Sequence, residues 1–112
     1  MTRFRADDSA VPLVIVKEYY TQRASLPGTL LITEATAISP QTQGFQNIPG
    51  IWTQEQIQAW KEIADSVHSK GSYIWLQLWA MGRSAEVDVL AAHGYNLTSS
   101  SAVLAAPEDP NL

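Results

Sequence analysis

The sequence contains no cysteine, so disulfide bonds, thiolate metal ligands and cysteine nucleophiles are excluded. It also lacks a basic surplus, because 7 lysines and arginines stand against 11 aspartates and glutamates, for a net charge of −4. A nucleic-acid-binding surface needs clustered positive charge, so this balance argues against such a partner. No apolar run approaches the roughly 20 residues of a membrane-spanning helix, and no apolar signal segment follows Met1. These absences predict a soluble, cytoplasmic protein.

What the chain does contain is apolar material for a core. Of its 112 residues, 46% are hydrophobic, with 4 tryptophans and 4 tyrosines, which favours a packed fold over disorder. This length allows one domain at most. We predict that residues 1–106 form one domain segment. Residues 107–112, which are rich in proline and acidic side chains, are predicted to be a flexible tail.

Two helices are predicted from apolar residues at helical spacing. The first covers residues 12–24, where Pro12 suits the first turn. The second begins at Thr53, the predicted N-cap, with Gln56 completing a capping box, and Gly71 provides a left-handed end. The predicted core-facing residues are Leu13, Val16, Tyr19 or Tyr20 and Ala24 on the first helix, and Ile57, Trp60, Ala64 and Val67 on the second.

Two strands alternate with these helices. Residues 29–33 follow a Pro27-Gly28 break, and residues 73–79 are apolar almost throughout, as in a strand covered on both faces. Residues 34–52 are predicted to form a long loop, and a loop of this length inside a compact domain is usually either functional or disordered. A short helix over residues 86–92, ended by Gly94, and an extended piece from residue 99 to 103 complete the prediction. Strand, helix and strand in this order predict parallel strands joined by a right-handed crossover, cut from a larger α/β structure.

Five sequence motifs follow one another along about residues 2–103. They are Thr2-Arg3-Phe4-Arg5-Ala6, Glu18-Tyr19-Tyr20-Thr21-Gln22-Arg23-Ala24-Ser25, Leu31-Ile32-Thr33-Glu34-Ala35-Thr36-Ala37-Ile38-Ser39-Pro40, Pro49-Gly50-Ile51-Trp52 and Gln77-Leu78-Trp79-Ala80-Met81-Gly82-Arg83. In content and order these motifs resemble the fungal branch of the Old Yellow Enzyme family of NADH:flavin oxidoreductases, including the reductases of ergot-alkaloid clusters. The resemblance implies an α/β fold, the first third of a (β/α)8 barrel, from the end of the first barrel strand to the third strand and its following loop.

Such enzymes bind FMN, take hydride from NAD(P)H and pass it to an activated alkene, at the carboxyl ends of the barrel strands. The resemblance implies that Thr2, Ala35 and Gln77 contact the flavin. It also implies that Trp79 and Phe45 line the substrate pocket. The alternatives are a polar residue at a frayed terminus for Thr2, a sheet-edge amide satisfied within the protein for Gln77, and core packing for Trp79.

The family's remaining chemistry lies on later strands. These carry the His/Asn pair that binds the substrate carbonyl, the proton-donating tyrosine and the arginines that hold the FMN phosphate. His93-Gly94-Tyr95-Asn96 echoes the His/Asn motif but follows too early a strand, so His93 is interpreted as a surface residue. Glu34 is interpreted as structural. No catalytic residue and no metal ligand is assigned.

Three hypotheses follow for the chain. It is a truncated family member that is inactive by itself, it becomes an active enzyme when oligomerisation or a partner chain completes the barrel, or it is a non-catalytic interaction module. The open barrel edges also predict a tendency of the chain to self-associate, because unpaired strand edges recruit further strands.

Overall fold

The computed structural model describes residues 1–101, so the predicted tail at residues 107–112 lies outside the described residues. Within residues 1–101, no helix is long and apolar enough to cross a membrane. The elements in chain order are α1 (Val14–Arg23), β1 (Leu30–Ala37), α2 (Gln54–His68), β2 (Tyr73–Trp79) and α3 (Val87–Ala92), with single 3-10 turns at Pro40–Thr42 and Gly82–Ser84.

The two strands form a parallel, two-stranded sheet, which confirms the predicted strand–helix–strand unit. Leu30 lies opposite Tyr73 at the amino ends, and Ala37 lies opposite Trp79 at the carboxyl ends. Helices α1 and α2 pack against each other and cover one face of this sheet. The chain is therefore two layers thick over part of the sheet and one layer thick elsewhere.

The start of α2 has the predicted capping box. The Thr53 hydroxyl accepts the Gln56 main-chain N–H at 3.2 Å, and the Gln56 side-chain oxygen accepts the Thr53 N–H at 3.1 Å. Gly71 adopts a φ of +73° after the helix, and Gly94 adopts a φ of +79° after α3. Both values lie in the left-handed region that glycine occupies without a steric penalty, so these predicted helix ends are confirmed.

The core lies between the helices and the sheet, and three predicted core residues, Leu13, Ile57 and the half-buried Ala64, are not in it. Leu13 is 44% exposed and Ile57 is 41% exposed. Ile57 borders an open cleft of about 290 Å³ between α2 and β2, where the described residues provide no further layer. Ile63, which was not predicted, is buried in its place. The buried cluster consists of Val16, Tyr20, Ala24, Trp60, Ile63 and Val67.

The predicted strands need two corrections. β1 continues to Ala37, so the long loop begins at Ile38 rather than at Glu34, because Thr36 and Ala37 still pair with β2. β2 is not covered on both faces, since Trp75 is 65% exposed. The helices cover only one face, and the opposite face would be the interior of a barrel. Residues 99–101 form no strand, and residues 102–103 of that predicted extended piece lie outside the described residues.

Candidate functional site

The predicted site residues converge on one end of the sheet. Ala35 lies opposite Gln77, and Trp79 ends the neighbouring strand. Phe45 reaches this end from the long loop, with its ring centroid 6.5 Å from that of Trp79. Thr2 precedes a residue that is hydrogen-bonded to the same end of β1. The carboxyl ends of parallel strands are where α/β folds place their ligands, so this convergence defines the candidate site.

An irregularity in β1 decides which of its side chains shares a face with Gln77. The register shifts between Ile32 and Ala35, so that Ile32 pairs with Trp75 and Ala35 pairs with Gln77. Between these two pairs, Thr33 and Glu34 of β1 therefore oppose the single residue Leu76 of β2, as at a β-bulge. Without the shift, Glu34 would stand opposite Gln77, because side chains alternate between faces with a period of two. The bulge places a methyl group there instead.

The Gln77 side chain is exposed at this end. Its main-chain N–H donates to the Thr33 hydroxyl at 2.9 Å, which replaces a ladder hydrogen bond lost at the bulge. Among residues 1–101, its side-chain amide makes no hydrogen bond, so Gln77 is not a sheet-edge amide satisfied within the described part of the chain. Ala35, which is only 8% exposed, adds no side chain long enough to compete for that amide. Two donors and an acceptor thus face open space.

Three aromatic rings form a row beside the amide. The Phe4 and Phe45 ring centroids are 5.9 Å apart in an edge-on arrangement, and Phe45 in turn meets Trp79. Phe4 was missed by the sequence reasoning. Its main chain has a φ of +53°, a conformation that non-glycine residues rarely adopt, so no residue pattern indicated where its ring points. Such outliers concentrate at binding sites.

Glu34 is buried in β1, and its polar groups form hydrogen bonds with the amino-terminal segment and with α1. Its carboxylate accepts the Arg3 main-chain N–H at 2.9 Å, and its own N–H donates to the Tyr20 hydroxyl at 2.8 Å. Glu34 is 3% exposed, and this burial raises the pKa of its carboxyl above the ordinary 4.5, with the Arg3 N–H acting in the opposite direction. Burial also raises the pKa of Tyr20 to about 12, so that hydroxyl is neutral near pH 7.

Thr2 reaches this end of the sheet only through its neighbour Arg3, and His93 lies on another element. Thr2 is partly buried, and its hydroxyl makes no hydrogen bond within residues 1–101. His93 is exposed at the carboxyl end of α3. In that same described range, no three His, Asp or Glu side chains are grouped closely enough to hold a metal ion.

Comparison with known proteins identifies the family of this chain. Residues 1–111 match the family described as NADH:flavin oxidoreductase / NADH oxidase. The "Probable inactive reductase easA" of Epichloe festucae var. lolii is 69% identical over 98% of this chain and 29% of its own length. The "Chanoclavine-I aldehyde reductase fgaOx3" of Penicillium roqueforti is 59% identical over 98% of this chain and 30% of its own length.

Solved structures of related proteins have the same fold over the part that this chain covers. An Old Yellow Enzyme from Pichia sp. superposes with a TM-score of 0.89 at 46% identity, over 92% of this chain and 27% of that one. Morphinone reductase in complex with tetrahydroNAD gives 0.72 at 45% identity, over 80% and 24% of the two chains. The predicted partial barrel and the resemblance to fungal Old Yellow Enzymes are thereby confirmed. The chain belongs to the NADH:flavin oxidoreductase / NADH oxidase family and spans less than a third of the length of the relatives it matches.

Proposed function

We propose that this chain is the part of an FMN oxidoreductase that contacts the flavin ring and one side of the substrate pocket, and that these 112 residues do not catalyse by themselves. The observation that carries the proposal is the free amide of Gln77, held opposite Ala35 at the carboxyl ends of two parallel strands. An amide offers donors and an acceptor to the edge of a planar heterocycle, and the small neighbour leaves room for it.

The residues present fit a flavin ring but supply little for its phosphate. Gln77 would hold the pyrimidine edge, Ala35 would allow close approach, and the Thr2 hydroxyl would add a further hydrogen bond. Bound FMN would supply hydride transfer between NAD(P)H and an activated alkene. Arg3 is the basic side chain closest to these groups in sequence, and its guanidinium is engaged with Tyr19, at 3.0 Å from the hydroxyl and 4.6 Å from the ring centroid.

The aromatic row supports the proposed substrate side. Phe45 and Trp79 are both partly buried, so each presents part of its ring at the rim. Flat apolar walls of this kind hold a planar unsaturated substrate and exclude water from it. The Penicillium roqueforti relative is named as a chanoclavine-I aldehyde reductase, so we propose an unsaturated aldehyde of fungal alkaloid metabolism as the substrate class of the complete barrel.

The lack of activity that we propose follows from what the site does not contain. Hydride transfer to an enal builds negative charge on its carbonyl oxygen, and removal of one preorganised donor from such a site costs roughly 3–4 kcal/mol. The family places those donors, and the proton donor, on later strands. The chain therefore holds one side of the ring and lacks the groups that stabilise the transition state.

The test compares FMN with riboflavin, which has the same ring without the phosphate. Quenching of flavin fluorescence by the purified chain gives a dissociation constant for each. We expect weak binding with equal constants, because charge-assisted contacts to a phosphate would strengthen FMN selectively. Gln77→Ala should weaken both by roughly three- to tenfold, as expected for the loss of one or two hydrogen bonds. No NADPH oxidation above the rate in buffer is expected.

Gln58→Ala provides the matched control, since Gln58 is an exposed glutamine on α2 away from the site. Loss of flavin binding in this variant, or no loss in Gln77→Ala, would remove Gln77 from the site. NADPH-dependent bleaching of flavin by the monomeric chain would overturn the proposed inactivity. A strong preference for FMN over riboflavin would show that the chain carries its own phosphate site.

The second candidate is an enzyme completed by another chain, and the open face of the sheet favours it. Ile32 and Trp75 pair on that face and are 63% and 65% exposed, where the rest of a barrel would cover them. This hypothesis requires NADPH oxidation to appear only in a defined oligomer or after addition of the missing barrel segments. A colourless oligomer without such activity would instead support the interaction-module hypothesis.

A further inference from the structure

Glu34 is a buried ionisable group beside the candidate site, and its main chain is hydrogen-bonded at both the N–H and the carbonyl. Its main-chain N–H is bound by Tyr20, and its main-chain carbonyl accepts the hydroxyls of Thr33 at 2.8 Å and Thr36 at 3.1 Å. The carboxylate therefore projects from a fixed backbone. From there it reaches 31 positions back along the chain to the Arg3 N–H.

The segment that receives this contact has few other ties. Among residues 1–4, as the described chain shows them, the bond from Arg3 to Glu34 is the only main-chain hydrogen bond to another element. The next is the Arg5 carbonyl, which accepts the Leu13 N–H at 3.0 Å. The Arg3 guanidinium lies against Tyr19, but a long side chain leaves the main chain free to rotate. The conformation at Thr2 thus depends on the Glu34 contact.

A carboxylate is a costly choice for this contact. Burial opposes its ionisation, as the raised pKa of Glu34 shows, and a glutamine could accept the same N–H without that cost. What the ionised group adds is strength and direction, because charge-assisted hydrogen bonds are shorter and about twice as strong as neutral ones. At position 34, a glutamine would therefore give the more stable fold, whereas the glutamate holds the Arg3 main chain more firmly.

We propose that Glu34 is a positioning residue, which fixes the Thr2 main chain through the Arg3 amide so that the Thr2 hydroxyl points toward the flavin ring. The proposal rests on the proposed function for the role of Thr2, but the contact between Glu34 and Arg3 is tested independently of any flavin. Glu34 does not touch the substrate or the flavin in this assignment.

The pH dependence follows from the raised pKa. The folded chain keeps the Glu34 proton to higher pH than the unfolded chain, so this group stabilises the fold most below its ordinary value of 4.5. That contribution is lost as pH rises through the folded pKa. The charged groups facing the carboxyl are Arg3, Arg5 and the amino terminus, and the hydroxyls facing it from α1 belong to Tyr19 and Tyr20.

The experiment follows the Arg3 amide by NMR in the 112-residue chain. Its proton shift should titrate with a midpoint above 4.5, and this titration should vanish in Glu34→Gln. Glu34→Gln should also be more stable than the parent near pH 7, the opposite of what a purely structural role predicts. Arg3 amide exchange should accelerate about tenfold or more in Glu34→Ala, the size expected when a charged hydrogen bond is lost. If Glu34→Ala does not fold, Glu34→Gln decides alone through the titration and the stability.

A titration with FMN separates this proposal from the proposed function. In the parent, FMN should shift the signals of both Thr2 and Gln77. In Glu34→Gln the shift at Thr2 should fall while that at Gln77 stays, and equal loss at both sites would overturn the positioning role. An Arg3 amide that does not titrate in the parent would overturn it as well. A titrating Arg3 amide with no FMN shift at Thr2 or Gln77 would refute the proposed function and leave the Glu34 contact standing.

Discussion

Replacing Gln56 by alanine tests how the long loop and the amino-terminal segment are held against α2. Gln56 is fully buried, and its side chain makes three hydrogen bonds. The oxygen accepts the N–H groups of Trp52 at 2.8 Å and Thr53 at 3.1 Å, and the nitrogen donates to the Ser9 carbonyl at 2.9 Å. One side chain therefore joins the end of the long loop and the amino-terminal segment to α2.

The magnitude follows from these three contacts. Each contributes about 0.5–1.5 kcal/mol net, and alanine leaves their main-chain partners without these bonds in partly buried surroundings, so the free energy of unfolding should fall by about 2–4 kcal/mol. Urea denaturation followed by far-ultraviolet circular dichroism measures this loss directly. In a thermal scan the same change corresponds to a decrease in Tm of roughly 10 °C or more for a domain of this size.

Gln58→Ala is the matched control on the same helix. Gln58 is exposed, and its amide makes a single long contact of 3.5 Å with Glu62. Alanine is also the better helix former, so this change should stay within about 0.5 kcal/mol of the parent. Equal losses in the two variants would refute the reasoning, because they would show that the buried hydrogen bonds of Gln56 contribute no more than the helix position itself.

Two further predictions concern the bulge and the open face. Thr33→Val removes the hydroxyl that accepts the Gln77 N–H, and it should lower the free energy of unfolding by about 1 kcal/mol more than Thr36→Val does. Thr36→Val is the control because both threonine hydroxyls donate to the Glu34 carbonyl, whereas only that of Thr33 also accepts a bond from β2. Equal urea midpoints for the two variants would contradict this prediction. Trp75→Lys should weaken self-association about tenfold or more in sedimentation equilibrium, because it places a charge on the open face of the sheet. Val87→Lys, at a 58% exposed position on α3, should leave the association constant unchanged. If the two lysine variants change that constant equally, the open face is not the surface through which the chain associates.

Local signals in the sequence predicted the helices and strands well. The capping residues of α2 and the glycines after α2 and α3 act within a few residues of themselves, so their effect could be read from the sequence. The exposure of Trp75 could not. An apolar run predicts burial on both faces only when the rest of the sheet and its helices are present, and this chain supplies one covering layer.

The site was predicted mainly from motif resemblance, and the structure adds what motifs do not encode. The resemblance identified Ala35, Gln77 and Trp79 as site residues, but it gave Glu34 no functional role and did not identify Phe4. The position of the Phe4 ring results from a left-handed main-chain conformation, and the Glu34 carboxylate binds the Arg3 N–H, 31 positions away in the sequence. Both depend on tertiary geometry that no local pattern carries.

The bulge in β1 links the two proposals made for this chain. A regular strand would place Glu34 on the same face as Gln77, where its negative charge would oppose hydride delivery and electron-rich forms of a flavin. The extra residue turns Ala35 to that face and sends the carboxylate to the Arg3 amide instead. The register shift thus keeps charge away from the ring and uses it to hold the segment that carries Thr2. Because the Thr33 hydroxyl binds both the Gln77 N–H and the Glu34 carbonyl, one buried side chain maintains both arrangements. Loss of the bulge would consequently disturb the contacts proposed for Gln77 and for Thr2 together, although the two residues lie at opposite ends of the sequence that forms the site.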